Sequence, residues 1–374
     1  MKRVLQILGT TNLGGAESRI MDLYRHMNRK EIQFDFLVHS GKKGFFDEEI
    51  KRLGGKIYYL PSFRVYNYFS YKKACRLFFA EHPDYAAVHG HMTSTASIYL
   101  PEAKKAGIPL TIAHARSAGV DKGIKGTITK LLRKNLYKKC DRMLACSDLA
   151  AKAVFGEKSY RENKVTILPN AIDTREYMPS EQIRNQIRRE YQIEDKFVIG
   201  HVGRFHYAKN HEFLVEIFAE ILKQRENAVL MLLGDGPLRG EIEEKAKRLG
   251  VYDKIIFAGN QTPAAPFYQA FDYFLFPSRF EGMPGTVVEA QAAGLKCLIS
   301  DSVTKQVKAT DLVTFLSLEQ PAKVWADEMI RQTQEEADRN GKRNPAAECY
   351  NLASTNYDVN NQVRFYEELY KGGR

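Results

Sequence analysis

The 374-residue chain is poor in cysteine, and the five it has (Cys75, Cys140, Cys146, Cys297, Cys349) are scattered. They make no C-x-x-C pair and no metal-ligand spacing. That excludes a disulfide scaffold and a zinc-ribbon site, and reads as reduced thiols in a cytosolic protein. Long apolar runs are also missing, and nothing approaches the ~20 residues of a membrane span. The first apolar run, Val4 to Leu8, contains Gln6; it is too short for a signal core and suits a buried strand. There is no short-period repeat and no Ser-, Gln- or Pro-rich tract. No G-x-x-x-x-G-K-[ST] stands in the chain, which excludes a P-loop ATPase, and no G-x-S-x-G, which excludes the usual acyl hydrolase. There is no Asp-x-Asp of the kind that holds a sugar nucleotide through a metal, and no His/Cys/Asp cluster for a tightly bound ion.

Apolar residues make up 44% of the chain, enough for two cores, and the length fits two domains of about 150–200 residues. The net charge of +11 is uneven. Residues 1–180 hold 31 Lys/Arg against 17 Asp/Glu, while the remainder holds 25 against 28. One half is therefore expected to face an anionic surface, a membrane rather than nucleic acid; a solvated basic surface without partner is the plainer alternative.

Short apolar runs alternate with helical patterns. Strands are expected at Arg3–Leu8, Phe34–His39, Lys56–Leu60, Ala86–Gly90, Leu110–Ala113 and Arg142–Cys146. A second set is expected at Val198–Val202, Ala228–Leu233, Ile255–Ala258, Tyr273–Phe276 and Lys296–Ser300. This β-α-β rhythm predicts an α/β protein of two doubly wound parallel sheets. The segment Leu168–Pro179, with two prolines, reads as the hinge, giving domains over 1–168 and 169–357. A final amphipathic helix lies in 358–374. Ligands of such sheets sit at the carboxyl ends of the strands, and two facing domains would share a cleft there.

Four loops carry candidate chemistry. Phe280 to Gly294 holds Glu281 and Glu289 eight apart, with Gly282-Met283-Pro284-Gly285 opening a helix from about Thr286. Amides at a helix start suit phosphate, glycines let backbone approach it, and carboxylates accept paired hydroxyls of sugar or ribose. Gly203-Arg204-Phe205-His206-Tyr207-Ala208-Lys209 follows a strand, and its Arg fork and Lys point charge can meet one diphosphate. Gly14-Gly15 precedes a helix, as a backbone approach to ligand or as a plain turn. His114 follows an expected strand, where it is either a ligand contact or structural. Gly234-Asp235-Gly236 resembles a dinucleotide fingerprint, but its spacing is G-x-G-x-x-x-G and the next strand ends without an acid, which argues against a dehydrogenase. Lys122 to Arg142 carries eight basic residues with Ile128, Leu131, Leu132 and Leu136 at helical spacing, a basic amphipathic helix fit for an anionic membrane or a core helix with a basic outer face. Phe63 to Tyr71 is rich in aromatics, for lipid, sugar or core contact.

Taken together, these motifs resemble glycosyltransferase family 4, the retaining group with the GT-B fold of two Rossmann-like domains. Gly14-Gly15 resembles its N-terminal glycine loop, and Pro169-Asn170-Ala171-Ile172-Asp173 the segment opening its second domain. Gly203-Arg204 with Lys209 resembles its diphosphate clamp, and Glu281 with Glu289 its E-x7-E motif. Gln291-Ala292-Ala293-Gly294 and Thr314–Leu318 look closer to a bacterial exopolysaccharide or capsule branch. The resemblance implies a retaining hexosyltransferase that needs no metal or other cofactor. Its donor would be a nucleotide-diphosphate sugar, with uridine preferred over guanosine, and its acceptor an oligosaccharide or polyprenyl-linked saccharide. Arg204 and Lys209 would neutralise the leaving diphosphate, Glu281 would bind the donor sugar, Glu289 the ribose, and His114 the transferring sugar. Gly14, Gly15, Gly203, Gly234, Gly282, Met283, Pro284 and Gly285 would line the donor. The last helix would cross back to the first domain. The implied location is cytoplasmic, peripheral on the inner face of the membrane. An epimerase or hydrolase on the same fold is the alternative, to be told apart by donor turnover without acceptor; a non-catalytic binding protein is a third, against which all four charged positions stand.

Overall fold

The computed structural model describes residues 1–117, 119, 124–338 and 351–372. Lys122 and Cys349 lie outside the described residues. The chain forms two compact units, one of Met1–Ala171 with Val359 onward and one of Ile172–Asp358.

The first unit holds a seven-stranded sheet: β1 (Lys2–Leu8), β2 (Ile32–Val38), β3 (Ile57–Tyr59), β4 (Ala87–Gly90), β5 (Thr111–Ala115), β6 (Arg142–Ala145) and β7 (Val165–Ile167). Its order is β3-β2-β1-β4-β5-β6-β7, and its pairings are parallel. Helices cover both faces of such a sheet, so its central strands are apolar on both sides. Accordingly all of β2, β4 and β5 is buried. The short edge strand β7, with one polar residue facing out, escaped the sequence pattern.

The second unit repeats the plan with β8 (Phe197–Val202), β9 (Ala228–Leu233), β10 (Ile255–Gly259), β11 (Tyr273–Phe276), β12 (Cys297–Ser300) and β13 (Val313–Leu316) in the order β10-β9-β8-β11-β12-β13. The pairings are again parallel. This is the doubly wound arrangement expected from the sequence. In both sheets the order reverses beside the first strand, between β1 and β4 and between β8 and β11. Adjacent connections leave to opposite faces there and open a crevice at the strand ends.

Local chemistry sets the helix limits. Ser147 and Ser180 cap their helices, each Oγ accepting from the backbone N–H three residues on (Ala150 at 3.2 Å, Ile183 at 3.3 Å); each cap contributes about 1 kcal/mol. The helix Gly285–Ala292 stops at Gly294, whose φ of +68° admits the closing bonds from Gly294 N to Gln291 O and from Leu295 N to Ala290 O.

The final helix, Val359–Lys371, belongs to the first unit. Val359, Val363, Tyr366, Leu369 and Tyr370 are buried in one cluster with Val4, Phe34 and Tyr24, at about 1.5–3 kcal/mol per apolar side chain. The second core gathers Phe205, Leu214, Phe218, Leu230, Tyr273 and Trp325. Among the described residues no helix is long and apolar enough to cross a membrane.

The basic stretch around residue 130 is not one helix. The helix Ile124–Arg133 ends, Asn135 turns left-handed at φ +61°, and a short 3₁₀ turn, Leu136–Lys138, follows. Leu131 is exposed while Leu136 is buried, so the apolar positions do not share one face.

Gly200 lies in β8 where the chain passes closest to the ring of Phe271, which a Cβ would strike. Gly200→Ala is expected to cost about 1–3 kcal/mol through overpacking, read as a lower urea midpoint with an unchanged slope.

Candidate active site

In the second unit the two expected loops leave the strands that flank the reversal. One follows β8 and runs through Gly203 to Asn210; the other follows β11 and runs from Pro277 to Gly285. Three hydrogen bonds tie them together: Arg279 N donates to Ala208 O at 2.8 Å, Arg279 Nη1 to Tyr207 O at 3.0 Å, and Asn210 Nδ2 to Pro277 O at 3.0 Å.

Lys209 reaches across to Glu281, with Nζ 2.7 Å from Oε1, and passes 4.6 Å from the centre of the Phe276 ring. Its stem runs past Gly203, where an added Cβ would sit 3.1 Å from Lys209 Cδ and Cε. Gly203 is in turn crowded by Gly234. That residue stands at φ +129°, and a Cβ on it would strike the Gly203 carbonyl. Only glycine meets both demands, so the failed dinucleotide fingerprint owes its first glycine to loop packing.

Arg204 is exposed and has no ion-pair partner among the described residues. With Lys209 matched by Glu281, and Arg279 3.7 Å from Glu212 on the following helix, Arg204 is left as the uncompensated cation of the two loops. That is a suitable field for an anion.

Glu289 lies one turn into the helix Gly285–Ala292. Side chains lean toward a helix N-terminus, and the Glu289 carboxylate comes to lie 3.8 Å from where a Gly285 Cβ would stand. The Glu289 side chain is itself buried. Tyr268 fixes it, its OH donating to Oε2 at 2.7 Å. Met283 and Pro284 are buried beneath the loop, and Gly282 is half-buried.

Two residues not singled out from the sequence belong here. Ser278 Oγ and Thr286 Oγ1 are buried and have no hydrogen-bond partner among the described residues. Buried hydroxyls are rarely left unmade, so two unused groups beside Glu281 and at the helix start suit a ligand. Gln291 is the opposite case. Its Oε1 accepts from Ala309 N, Thr310 N and Thr310 Oγ1, and its Nε2 donates to the carbonyls of Val287 and Val307. It is a packing residue.

In the first unit Gly14 and Gly15 follow β1, at the other strand reversal. Gly14 caps the helix Gly15–His26 in extended conformation. The Glu17 carboxylate folds back against it, where a Gly14 Cβ would strike Oε2, and burial raises its pKa. Gly15 has open space where a Cβ would stand, so packing does not demand glycine at that position.

His114 does not follow its strand as expected. β5 continues to Ala115, placing His114 inside the strand and fully buried. His89 and His91 stand beside it, and the three offer the one group among the described residues with metal-ligand spacing. Five of their six ring nitrogens are already hydrogen-bonded: His89 to Tyr370 and His114, and His91 to Gln6 and Arg116. A neighbouring guanidinium also repels a cation. The cluster is thus better described as a polar network. Burial, followed by the charge of Arg116, holds His114 and His89 well below the usual histidine pKa; burial, then His89 and Arg116, does so for His91.

The comparisons with known proteins agree with this architecture. Residues 13–176 match Glycosyltransferase Family 4, and residues 196–333 match Glycosyl transferases group 1. EpsF of Bacillus subtilis (strain 168), named as a glycosyltransferase, is 37% identical over 335 residues, 88% of this chain and 87% of its own. CapH of Staphylococcus aureus, a capsular polysaccharide biosynthesis glycosyltransferase, is 26% identical over 314 residues, 82% of each chain. Anabaena HepE, solved with UDP and glucose, shares the fold at a TM-score of 0.82 with 15% identity, covering 100% of both chains. The chain is a GT-B glycosyltransferase and belongs to glycosyltransferase family 4.

The histidine network has a consequence for acid stability. The unfolded chain takes up protons near pH 6.5, while the buried rings remain neutral. Stability is therefore complete above pH 6.5 and falls as pH drops below it, by about 1.4 kcal/mol per pH unit for each ring that stays neutral. Thermal unfolding between about pH 8 and pH 5 is expected to show the midpoint falling on the acid side. A flat profile would mean that the rings titrate in the folded protein.

Proposed function

We propose that the enzyme transfers a hexosyl unit, with retention, from a UDP-sugar to an oligosaccharide or polyprenyl-linked acceptor in capsule or exopolysaccharide synthesis. The observation that carries this reading is the joining of the β8 and β11 loops, which places Lys209 against Glu281 and leaves Arg204 uncompensated. CapH, in capsular polysaccharide biosynthesis, and HepE, with UDP and glucose bound, support the pathway and the nucleotide.

Breaking the glycosidic bond puts negative charge on the leaving diphosphate and positive charge on the sugar ring. Arg204 and Lys209 stabilise the first in place of a metal ion, acting most strongly where water is excluded. Glu281, next to Lys209, accepts from sugar hydroxyls and shifts with Lys209 as charge moves. Glu289, held by Tyr268, accepts from the ribose hydroxyl pair. Ser278 and Thr286 supply hydroxyls, Gly203, Gly234, Gly282 and Gly285 let backbone come close, and Met283 and Pro284 support the loop. Gly14 and Gly15 offer amides to phosphate or sugar, and His114 meets the transferring sugar.

The acceptor side carries a basic surface in which Lys130, Lys134 and Lys138 are exposed. Arg133 does not contribute freely, since its Nε and one terminal nitrogen are buried without partners among the described residues. An anionic membrane on the cytoplasmic side is the partner this charge suits.

A thermal-shift and turnover screen against UDP- and GDP-sugars, with EDTA present, tests the reading. One UDP-sugar is expected to stabilise the protein and release nucleotide. Arg204→Ala and Lys209→Ala are each expected to lower transfer by about 10²–10³-fold, with the melting temperature of Arg204→Ala unchanged, as for other exposed positions. Wild-type rates in both would remove the diphosphate assignment. Exchanging Lys130, Lys134 and Lys138 for Gln is expected to reduce co-sedimentation with phosphatidylglycerol vesicles, at about 1 kcal/mol per charge. Unchanged sedimentation would remove the membrane from the proposal.

A further inference from the structure

We infer that Arg116, His91, Gln6, Tyr370 and His89 form a one-way hydrogen-bond chain that holds His114 in the tautomer with its proton on Nε2, so that the atom it presents is a donor and not a base.

The direction follows from the first link. Arg116 Nε lies 3.2 Å from His91 Nδ1. A guanidinium has donors only, so His91 Nδ1 accepts, and the neutral ring carries its proton on Nε2. That proton faces Gln6 Oε1 at 2.9 Å, which fixes which end of the amide is the oxygen. Gln6 Nε2 is then the end directed at Tyr370, 3.4 Å from its OH. An amide N–H₂ cannot accept, so the phenol oxygen receives from Gln6 and turns its own proton to His89 Nδ1, 2.6 Å away. His89 therefore bears its proton on Nε2, directed at His114 Nδ1 at 3.0 Å, with the two ring planes 8° apart. His114 Nδ1 accepts, and the remaining proton sits on Nε2. That nitrogen is buried and has no partner among the described residues.

Reversing the Tyr370–His89 link would leave the phenol O–H without an acceptor, and reversing any other link would set two donors or two lone pairs against each other. Solvent cannot relieve the conflict, because Gln6, His89, His114 and Tyr370 are all buried. The parallel pairing of β1 with β4 puts Gln6 directly beside His89, and the final helix brings Tyr370. The other charged or titratable groups near the chain do not alter its direction. Arg116 also faces the Tyr366 hydroxyl, to which a guanidinium can only donate, and its NH1 goes on to Asn170 Oδ1 at 3.3 Å.

Arg116, His91, Gln6, Tyr370 and His89 are accordingly positioning residues. The inference rests on the proposed function only for which ligand oxygen His114 meets, and the chain itself is testable without ligand. The measurement is a long-range ¹H–¹⁵N correlation spectrum of the histidine rings in the full chain near pH 8, with His114 assigned by its loss in His114→Gln. The wild type is expected to show His114 protonated on Nε2. Gln6→Glu is the sharper test, because a carboxylate accepts from both neighbours. Tyr370 then turns its proton to residue 6, His89 must carry its own on Nδ1, and His114 is expected to switch to Nδ1–H. A wild type with the proton on Nδ1, or a folded Gln6→Glu that keeps Nε2–H, would overturn the inference. Should Gln6→Glu not fold, Tyr370→Phe replaces it. His114 is then expected as a mixture of both tautomers, and an unchanged single state would overturn the inference equally. Transfer activity enters none of these outcomes, so failure of the donor screen and failure of the chain are separate results.

Discussion

The structure depends on one constraint of parallel sheets: successive strands need crossovers, and where the order reverses the crossovers part to opposite faces. Each sheet reverses once, beside its first strand. The loops from β8 and β11 leave at that gap in the second unit, and Gly14-Gly15 and the end of β4 occupy the equivalent place in the first. Residues as distant in sequence as Lys209 and Glu281 become neighbours because the topology leaves their strand ends uncovered by helices. The glycines follow from the same fact. Gly203 and Gly234 sit where two such loops are forced together.

Charge is distributed differently in the two units. The second unit buries Arg188, Glu289 and Asp358 but leaves Arg204 exposed and uncompensated beside a matched pair. The first buries carboxylates as well, at Asp35, Asp47 and Glu102, but around His114 it aligns neutral polar groups, with Arg116 as the source of their order. A buried network of this kind is costly when half satisfied. Here each ring nitrogen except His114 Nε2 has a partner, so the cost is confined to the atom that a ligand can relieve.

Much of the fold was legible in the sequence because central parallel strands are continuous apolar runs, and Val4–Leu8 or Ala228–Leu233 can scarcely be anything else. The edge strands β7 and β13 are short runs, each broken by a threonine, and give too little of that signal. The helix Glu181–Glu190 buries little beyond Ile187 and Arg188, so its periodicity is hidden among charges. The loops with Arg204, Lys209 and Glu281 were legible through spacing after strands. His114 was placed too late, since the alternation of small and polar residues in Thr111–Ala115 does not mark where the strand stops. The basic stretch near residue 130 looked like one amphipathic helix because periodicity does not register the left-handed Asn135. Ser278, Thr286 and the partners of His114 carry no local pattern at all. Gln6, His89 and Tyr370 meet only through strand pairing and a helix returning from the far end of the chain.

That returning helix makes the second unit an insertion within the first. The chain leaves the first unit after Ala171 and re-enters it at Val359, so the residues completing the first core are synthesised after the whole of the second unit. On a ribosome the second unit has its whole sequence available while the first still lacks Tyr366, Leu369 and Tyr370. Order of synthesis and order of completion are therefore reversed. A nascent chain must hold an unfinished, partly apolar sheet while the second unit is made, and that sheet acquires the phenol aligning its histidines only after the second unit is complete.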